Sequence, residues 1–377
     1  MVLNELNPVK LYIDVSAIRH NFEVFRDAAP MCEIMPVLKA DAYGGGAMLA
    51  SEAFKNGGEC DIKYAAAADV FEAEKLSAYL PDVRIVILYQ PFENAIPDIV
   101  RGGYVSAASD IGFISALDNE AAQCNSVAEI HIEIDTGHGR LGISPDNARE
   151  FAERVKAFTH IRVTGIFQHY ARADGFDEIS NNFTAIQTER FDRAIADIEG
   201  VLGEVELKHA ANSAGVFNPY AKQYNMCRPG YMLYGYYPSI ALRQYADLRP
   251  ALKLATRIIQ IHTYPPDTPI SYDGTFITRR ETIIAACAIG YSDGFPRLLS
   301  NKGYFAVNGQ KSPIVGRVCM DVTMLDITDI RGTVKVGDEV FIFDNDIVTL
   351  EDIASECGTI GYEIISAINA SVSRVSN

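Results

Sequence analysis

A lysine ends an apolar run in Val37-Leu38-Lys39-Ala40-Asp41-Ala42-Tyr43-Gly44-Gly45-Gly46. An amine at the carboxyl end of a buried strand is costly unless it is paired or neutral. Burial and nearby cations lower a lysine's pKa, and the free amine that results can form a Schiff base with an aldehyde. The three glycines and Tyr43 would let a phosphate approach the backbone closely. The residues alone leave a plainer alternative open, a snorkelling lysine beside a flexible turn. Arg140 lies in Gly137-His138-Gly139-Arg140-Leu141-Gly142, where a planar guanidinium suits bidentate carboxylate binding or, at a surface, an ordinary salt bridge. Ser213 has a hydroxyl able to donate to a phosphate, whereas His209 reads equally well as a satisfied structural histidine. Tyr272 is one of 19 tyrosines. A phenol with a pKa of about 10 is a poor base at neutral pH without positive charge nearby, so taken alone it reads as an ordinary strand aromatic.

The elements that must position these groups are legible as alternating patterns. Short apolar runs at 34–38, 64–67, 84–88, 104–107, 130–134, 163–167, 206–209 and 226–233 alternate with helix-like stretches such as 48–55 and 183–198. This alternation predicts parallel βα units and fits an eight-stranded TIM-like (β/α)8 barrel, whose strand ends carry catalytic groups. Before the first unit, 10–14 reads as a strand and 16–25 as a helix capped by Ser16, with Ile18, Phe22 and Phe25 on one face. After about Gln244 the texture becomes β-rich, at 252–261, 282–289, 303–307, 318–327 and 334–343. Asn308-Gly309 signals a hairpin, and Thr349 with Asp352 a capping box. The expected division is a 1–244 α/β barrel and a mostly β C-terminal domain at 245–377, with the strand near 10–14 open to joining the latter.

The 377 residues suit two domains at about 150 residues each. A net charge of −16 argues against nucleic acid and anionic lipid as partners. Seven scattered cysteines without a C-x-x-C pair argue against a disulfide framework and a zinc site, and no metal is expected. Residues 1–10 show no secretory leader, and no apolar run reaches membrane-spanning length. The chain reads as cytoplasmic and soluble.

Residues 37–46 resemble the alanine racemase family, pyridoxal-phosphate enzymes of fold type III, whose pattern is close to V-x-K-A-N-A-Y-G-H-G. Asp41 and Gly45 depart from it. The resemblance recurs in order from about Tyr12 to Arg374. It is carried by Ile134–Gly142 (D-T-G-M-G-R-L-G, with His138 at the Met position), Gly165–Tyr170, His209–Gly215, Cys227–Gly235, Ile270–Phe276, Ile289–Arg297, Gly316–Asp321 and Gly358–Glu363. It implies that Lys39 binds pyridoxal 5′-phosphate covalently. Tyr43, Ser213, Tyr362 and the backbone N–H groups of Gly230 and Tyr231 are then the phosphate contacts. Arg228 faces the pyridine nitrogen, with His169, Asn212 and His209 near the cofactor. Arg140, Met320 and Asp321 face the substrate. Where the family often has a carbamylated lysine orienting the arginine, this chain has Glu133, whose own carboxylate is expected to serve.

The resemblance further implies a homodimer with shared active sites, in which Tyr272 of one subunit faces Lys39 of the other. Two bases on opposite faces would interconvert L- and D-alanine, Tyr272 acting on the L enantiomer. The family's role is D-alanine biosynthesis, a peptidoglycan precursor. A serine or broader-specificity racemase is the main alternative, because one methyl group yields only about 1–3 kcal/mol of discrimination. A fold-type-III decarboxylase is a further alternative, although its own glycine-rich and C-D-containing segments are not found. A non-catalytic cofactor carrier would be a lone barrel, without the C-terminal third.

Overall fold

The computed structural model describes residues 7–377. Residues 1–6, part of the stretch in which no leader is read, lie outside the described residues. Contacts divide the chain into two compact units. One joins the N-terminal stretch ending at Ala17 with Tyr43–Leu49 and Pro250–Asn377, and the other comprises Ile18–Ala42 and Ala50–Arg249.

The chain opens with β1 (Lys10–Ile13), which belongs to the first of these units, followed by helix α1 (Val15–Ala28). Ile18, Phe22 and Phe25 are buried as their spacing predicts. The helix start differs from expectation. Asp14, not Ser16, caps it, accepting from the Ala17 N–H at 2.9 Å and from the Ser16 hydroxyl at 2.6 Å. A carboxylate also suits the positive end of the helix dipole better than a hydroxyl.

The larger unit is the barrel. Its strands are β2 (Glu33–Ile34), β3 (Tyr64–Ala67), β4 (Arg84–Ile87), β5 (Val105–Ala108), β6 (Ala128–Glu133), β7 (Ile161–Phe167), β8 (Leu207–Asn212) and β9 (Met226–Arg228). All pair in parallel in the order β2-β9-β8-β7-β6-β5-β4-β3. The seam closes through a parallel bridge between Val37 and Ala66, where the Leu38 N–H donates to Ala66 O at 2.9 Å and the Ala66 N–H to Pro36 O at 2.9 Å. Every residue of β3 and β5 is buried, as strands covered on both faces require. Helices α2 (Val70–Tyr79), α3 (Ile96–Gly102), α4 (Ile111–Gln123), α5 (Ala148–Val155) and α6 (Glu178–Leu202) alternate with the strands. Asp69, Asp110 and Asp177 cap α2, α4 and α6.

Two expected elements are shorter than their apolar runs suggest. The run 226–233 stays a strand only to Arg228, because Pro229 lacks an N–H, and a 3-10 turn at Tyr231–Tyr234 follows. The helix expected at 48–55 spans Ala47–Glu52, with Lys55 instead paired to Cys60 in a small hairpin.

The other unit is built on β10 (Leu252–Tyr264), β11 (Thr282–Cys287), β12 (Tyr304–Val307), β13 (Gln310–Pro313), β14 (Thr323–Asp326), β15 (Glu339–Phe343) and β16 (Ser373–Ser376). Strand β1 pairs antiparallel with β10 and parallel with β16. Asn308 and Gly309 join β12 to β13 with φ of +48° and +68°, the left-handed pair of a type I′ hairpin turn. Helix α7 (Leu350–Cys357) has the Thr349–Asp352 capping box, and α8 (Gly361–Ser366) follows. The strand expected at 318–327 covers only Thr323–Asp326, and the residues before it form a turn that holds Met320 and Asp321 at the surface. Among the described residues no helix is long and apolar enough to cross a membrane.

Candidate active site

Lys39 begins a turn whose next four residues, Ala40 to Tyr43, all have φ between 52° and 58°. The left-handed helix costs a non-glycine residue about 1–2 kcal/mol, so this segment stores strain that its surroundings must offset. Glu72, at the start of α2, contributes to that. Its Oε1 accepts the Ala40 N–H at 2.6 Å and its Oε2 the Ala68 N–H at 2.8 Å. The Lys39 amine makes no hydrogen bond or ion pair among the described residues. Burial lowers its pKa first, followed by Arg140 and Arg228, with Glu72 opposing. The result is an amine easier to deprotonate than an exposed one. Asp41, the departure from the family motif, is exposed.

Arg228, at the end of β9, is only 4% exposed. Its Nη1 donates to His209 Nδ1 at 2.8 Å, and its Nη2 to Gln168 O at 2.8 Å and Ala210 O at 3.2 Å. Among the described residues no carboxylate forms an ion pair with it, and its Nε–H takes part in none of these bonds. Burial lowers its pKa to about 10, which leaves it charged at neutral pH. The network fixes the neighbouring tautomers. Because arginine can only donate, His209 Nδ1 must accept, so its Nε2–H donates to His131 Nδ1 at 2.8 Å. His209 also stacks on Phe167 at 4.9 Å, and burial holds both His209 and His131 neutral, the latter with a pKa of about 3.

His169 is placed between Asn212 and the same guanidinium. Asn212 Oδ1 accepts the Gly215 N–H at 3.0 Å, so its Nδ2 donates, to Tyr170 O at 3.2 Å and to His169 Nε2 at 3.3 Å. On its other edge His169 Nδ1 faces Arg228 Nη2 at 3.5 Å, and burial and the surrounding cations hold the ring neutral. His138 packs edge-on against its ring at 5.4 Å. Ser213 Oγ accepts the Gly230 N–H at 2.9 Å, which leaves its own hydroxyl proton free to donate elsewhere. Gly230 starts the 3-10 turn that contains the buried Tyr231.

The expected bridge between Glu133 and Arg140 is absent. Glu133 is 5% exposed at the end of β6 and makes no ion pair among the described residues. Burial raises its pKa to about 7, with Arg228 and Arg140 partly opposing. Arg140 is exposed in the loop after β6 and likewise makes no ion pair among the described residues. That loop is fixed by Asp135, whose Oδ1 accepts from the Gly137 and Gly139 N–H groups at 3.0 Å each, and by Gly142, where a Cβ would lie 2.9 Å from Glu133 O. Glu133 is thus buried and Arg140 exposed, on either side of this loop.

The remaining expected residues belong to the β-rich unit. Tyr43 and Tyr362, on α8, approach edge-on at 6.1 Å, and burial raises the Tyr43 pKa. Tyr272 is 68% exposed, between Ser271 and Asp273, which both have positive φ. The Ser271 hydroxyl donates to Arg317 O at 2.7 Å, and Arg317 Nε donates to Asp273 Oδ2 at 2.7 Å, so the strained turn is braced on both sides of the phenol. A cleft of about 510 Å³, lined by His262, Ile270, Tyr272, Cys319 and Met324 among others, opens beside it. Met320 is 54% exposed, and Asp321 accepts the Ser292 hydroxyl at 2.8 Å. Within the barrel unit, then, the structure gathers His169, Asn212, Ser213, Arg228, Gly230 and the charges sensed by Lys39. The β-rich unit presents Tyr272, Met320 and Asp321 outward.

The alanine racemase N-terminal domain model matches residues 13–238, and the C-terminal domain model matches residues 251–376. The chain belongs to the alanine racemase family. Alanine racemase 2 of Caldanaerobacter subterraneus subsp. tengcongensis is 38% identical over 99% of this chain and 96% of its own. The solved alanine racemase of Clostridium difficile 630 is 30% identical, with a TM-score of 0.91 covering 98% of this chain and 96% of that one. That of Bartonella henselae, solved with covalently bound pyridoxal phosphate, is 28% identical with a TM-score of 0.86, covering 98% and 99%. The segments that carry the resemblance to the alanine racemase family up to residue 235 fall within the first match, and those from 270 to 363 within the second.

Three participants escape a reading of motifs. Glu72 clamps the lysine turn, His131 ends the relay from Arg228, and the Gln168 carbonyl takes an arginine proton. Only Glu72 had an available signal, its spacing of three from the helix cap Asp69.

Proposed function

We propose that this chain is an alanine racemase that interconverts L- and D-alanine with pyridoxal 5′-phosphate, as a cytoplasmic homodimer supplying D-alanine for cell-wall peptidoglycan. In this reading the cofactor is held by the barrel, residues 1–244 without the first strand at about 10–14, and the β-rich residues 245–377 serve the facing site. The observation that carries it is the pairing of a half-buried amine lacking a counter-ion, Lys39, with a buried arginine whose Nε–H is spare, Arg228. The two fit the group at both ends, since an aldehyde needs a free amine and an unprotonated pyridine nitrogen needs a donor. Ser213, Gly230 and Tyr231, with Tyr43 and Tyr362, are the proposed phosphate contacts. When bound, the cofactor supplies an electron-withdrawing ring that acidifies the substrate α-proton.

The chain's residues then divide the work. Arg228 stays protonated and donates to the ring nitrogen, keeping that nitrogen unprotonated and the ring a moderate electron sink. Moderation disfavours protonation at the wrong carbon and so favours racemisation over transamination. Neutral His209 and His131 fix the guanidinium without adding charge, and His169 with Asn212 lines the same mouth. Arg140 binds the substrate carboxylate, with Met320 and Asp321 at the substrate end. The neutral Lys39 amine exchanges the α-proton on one face. Tyr272 of the partner subunit exchanges it on the other. The outward placement of Tyr272 and Met320 supports a site completed between subunits.

Incubation with L-alanine, L-serine and L-lysine, monitoring D-isomer and carbon dioxide, tests the reading. D-alanine as the main product is expected. D-serine formed faster than D-alanine would move the assignment to a serine racemase, and carbon dioxide without D-isomer to a decarboxylase.

A further inference from the structure

Arg140 has no ion-pair partner among the described residues, so its direction depends on the loop that carries it. The base of that loop is pinned, with the Asp135 N–H donating to Ile143 O at 2.8 Å and the Ile143 N–H to Glu133 O at 2.9 Å. Just inside this base the loop is gripped by helix α6. Arg190 Nη1 donates to Thr136 O at 2.8 Å. Gln187 Nε2 donates to Thr136 Oγ1 at 3.0 Å and to His169 O at 3.1 Å. Residues three apart share a helix face, so the two side chains reach Thr136 together, one at its carbonyl and one at its hydroxyl. Gly137 lets the helix come this close, since a Cβ there would lie 3.1 Å from Phe183 Cζ and 3.2 Å from Arg190 Nη1.

The directions of these bonds follow from one backbone donor. Gln187 Oε1 accepts the Ala171 N–H at 3.0 Å, so Gln187 Nε2 must donate. Thr136 Oγ1 accepts that bond and gives its own proton to Gln168 Oε1 at 2.7 Å. Thr136, Gln168 and Gln187 are all buried. A buried network of this kind rigidifies the segments it joins, here the Arg140 loop, the end of β7 and α6.

We propose that Gln187 and Arg190 are positioning residues for the substrate: by gripping Thr136 they set the loop from which Arg140 reaches the substrate carboxylate. They do through the backbone what a partner on the guanidinium would do directly. This rests on the carboxylate role of Arg140 proposed above. Loosening the clamp should disturb the carboxylate end of the site more than the ring-nitrogen end. Arg228 keeps its bonds to His209 Nδ1 and Ala210 O, which do not involve α6.

The test compares the parent holoenzyme with Arg190→Met, Gln187→Met and Arg190→Lys. Arg190 is only half-buried, so its variants remain readable if the buried Gln187→Met fails to fold. Backbone hydrogen exchange over 136–141, read without turnover, should quicken about tenfold in both Met variants. KM for L-alanine should rise about tenfold with kcat held within about threefold. The Kd of propionate, which carries alanine's carboxylate and methyl group without its amine, should rise in parallel. Arg190→Lys keeps a donor for Thr136 O and should stay within about threefold of the parent KM. Unchanged exchange in the Met variants would overturn the clamp. Faster exchange with unchanged propionate binding, or a fall in kcat at constant KM, would overturn its link to Arg140, as would a parent that does not bind propionate. A parent that binds propionate yet forms no D-alanine would overturn the racemase reading alone, since exchange and propionate affinity still report on the clamp.

Discussion

The barrel mouth and the Tyr272 face are built in opposite ways. At the mouth, Arg228, His209 and His131 are buried and locked by mutual hydrogen bonds that leave one allowed tautomer for each imidazole. On the β-rich unit, Tyr272 and Met320 are more than half exposed, held in place by a braced turn rather than by burial. A group meant to tune a bound ring gains from a dry, fixed setting. A group meant to serve a neighbouring chain must face outward while its backbone stays rigid. The contrast fits the proposed reading, in which the barrel mouth of one subunit is completed by the Tyr272 face of another.

The two halves should fail differently when broken. Lys39→Ala should abolish the covalent lysine–cofactor adduct, read as the loss of borohydride-trapped mass, and lower racemisation on the order of 10⁴-fold. A retained adduct on that variant would remove Lys39 from its role. Tyr272→Phe should keep the adduct yet slow proton abstraction from L-alanine about 10²–10³-fold, seen in α-deuterium exchange with solvent. Normal exchange would sink the two-base scheme. Smaller effects sharpen the picture of the mouth. Glu72→Gln weakens the acceptor of two backbone N–H groups and should cost roughly 1–3 kcal/mol in denaturant unfolding. It also removes the negative charge that raises the Lys39 pKa, so the acid limb of the rate profile should move to lower pH. An unchanged limb would show that Glu72 acts on the backbone alone.

Glu133→Gln should leave turnover least affected and change stability with the opposite sign. The folded pKa of Glu133, about 7, lies above its unfolded value of 4.5. The folded protein therefore holds a proton that the unfolded chain releases, and stability falls as pH rises from about 4.5 to 7. The glutamine variant should match the parent near pH 4 and be more stable by ~3 kcal/mol near pH 8. Equal stability at both pH values would mean that Glu133 gains a partner in solution.

Much of this contrast was legible in the sequence, because it rests on signals that local chemistry fixes. Strand–helix alternation announced the barrel, and Asn308-Gly309 and Thr349–Asp352 became the expected hairpin turn and helix cap. The motif order brought the barrel-side residues to one mouth. What escaped depends on long-range geometry or on competition between neighbours. Nothing in Ala40-Asp41-Ala42-Tyr43 announces four left-handed residues, since no glycine marks them and the clamp, Glu72, lies 32 positions from Ala40. Ser16 and Asp14 are both good caps, and only the chain path decides for Asp14. Glu133 and Arg140 are seven apart, but Glu133 is buried at a strand end while Arg140 is exposed in the loop that follows.

The central claim is that Lys39 and Tyr272 meet across two subunits, and mixed dimers test it most directly. Co-expressed Lys39→Ala and Tyr272→Phe chains, each nearly inactive alone, should assemble by chance into hybrids holding one intact site. Activity should then recover to about one quarter of the parent value, given random pairing in a two-fold dimer. Hybrids confirmed by native mass that remain as inactive as either variant alone would contradict the shared site.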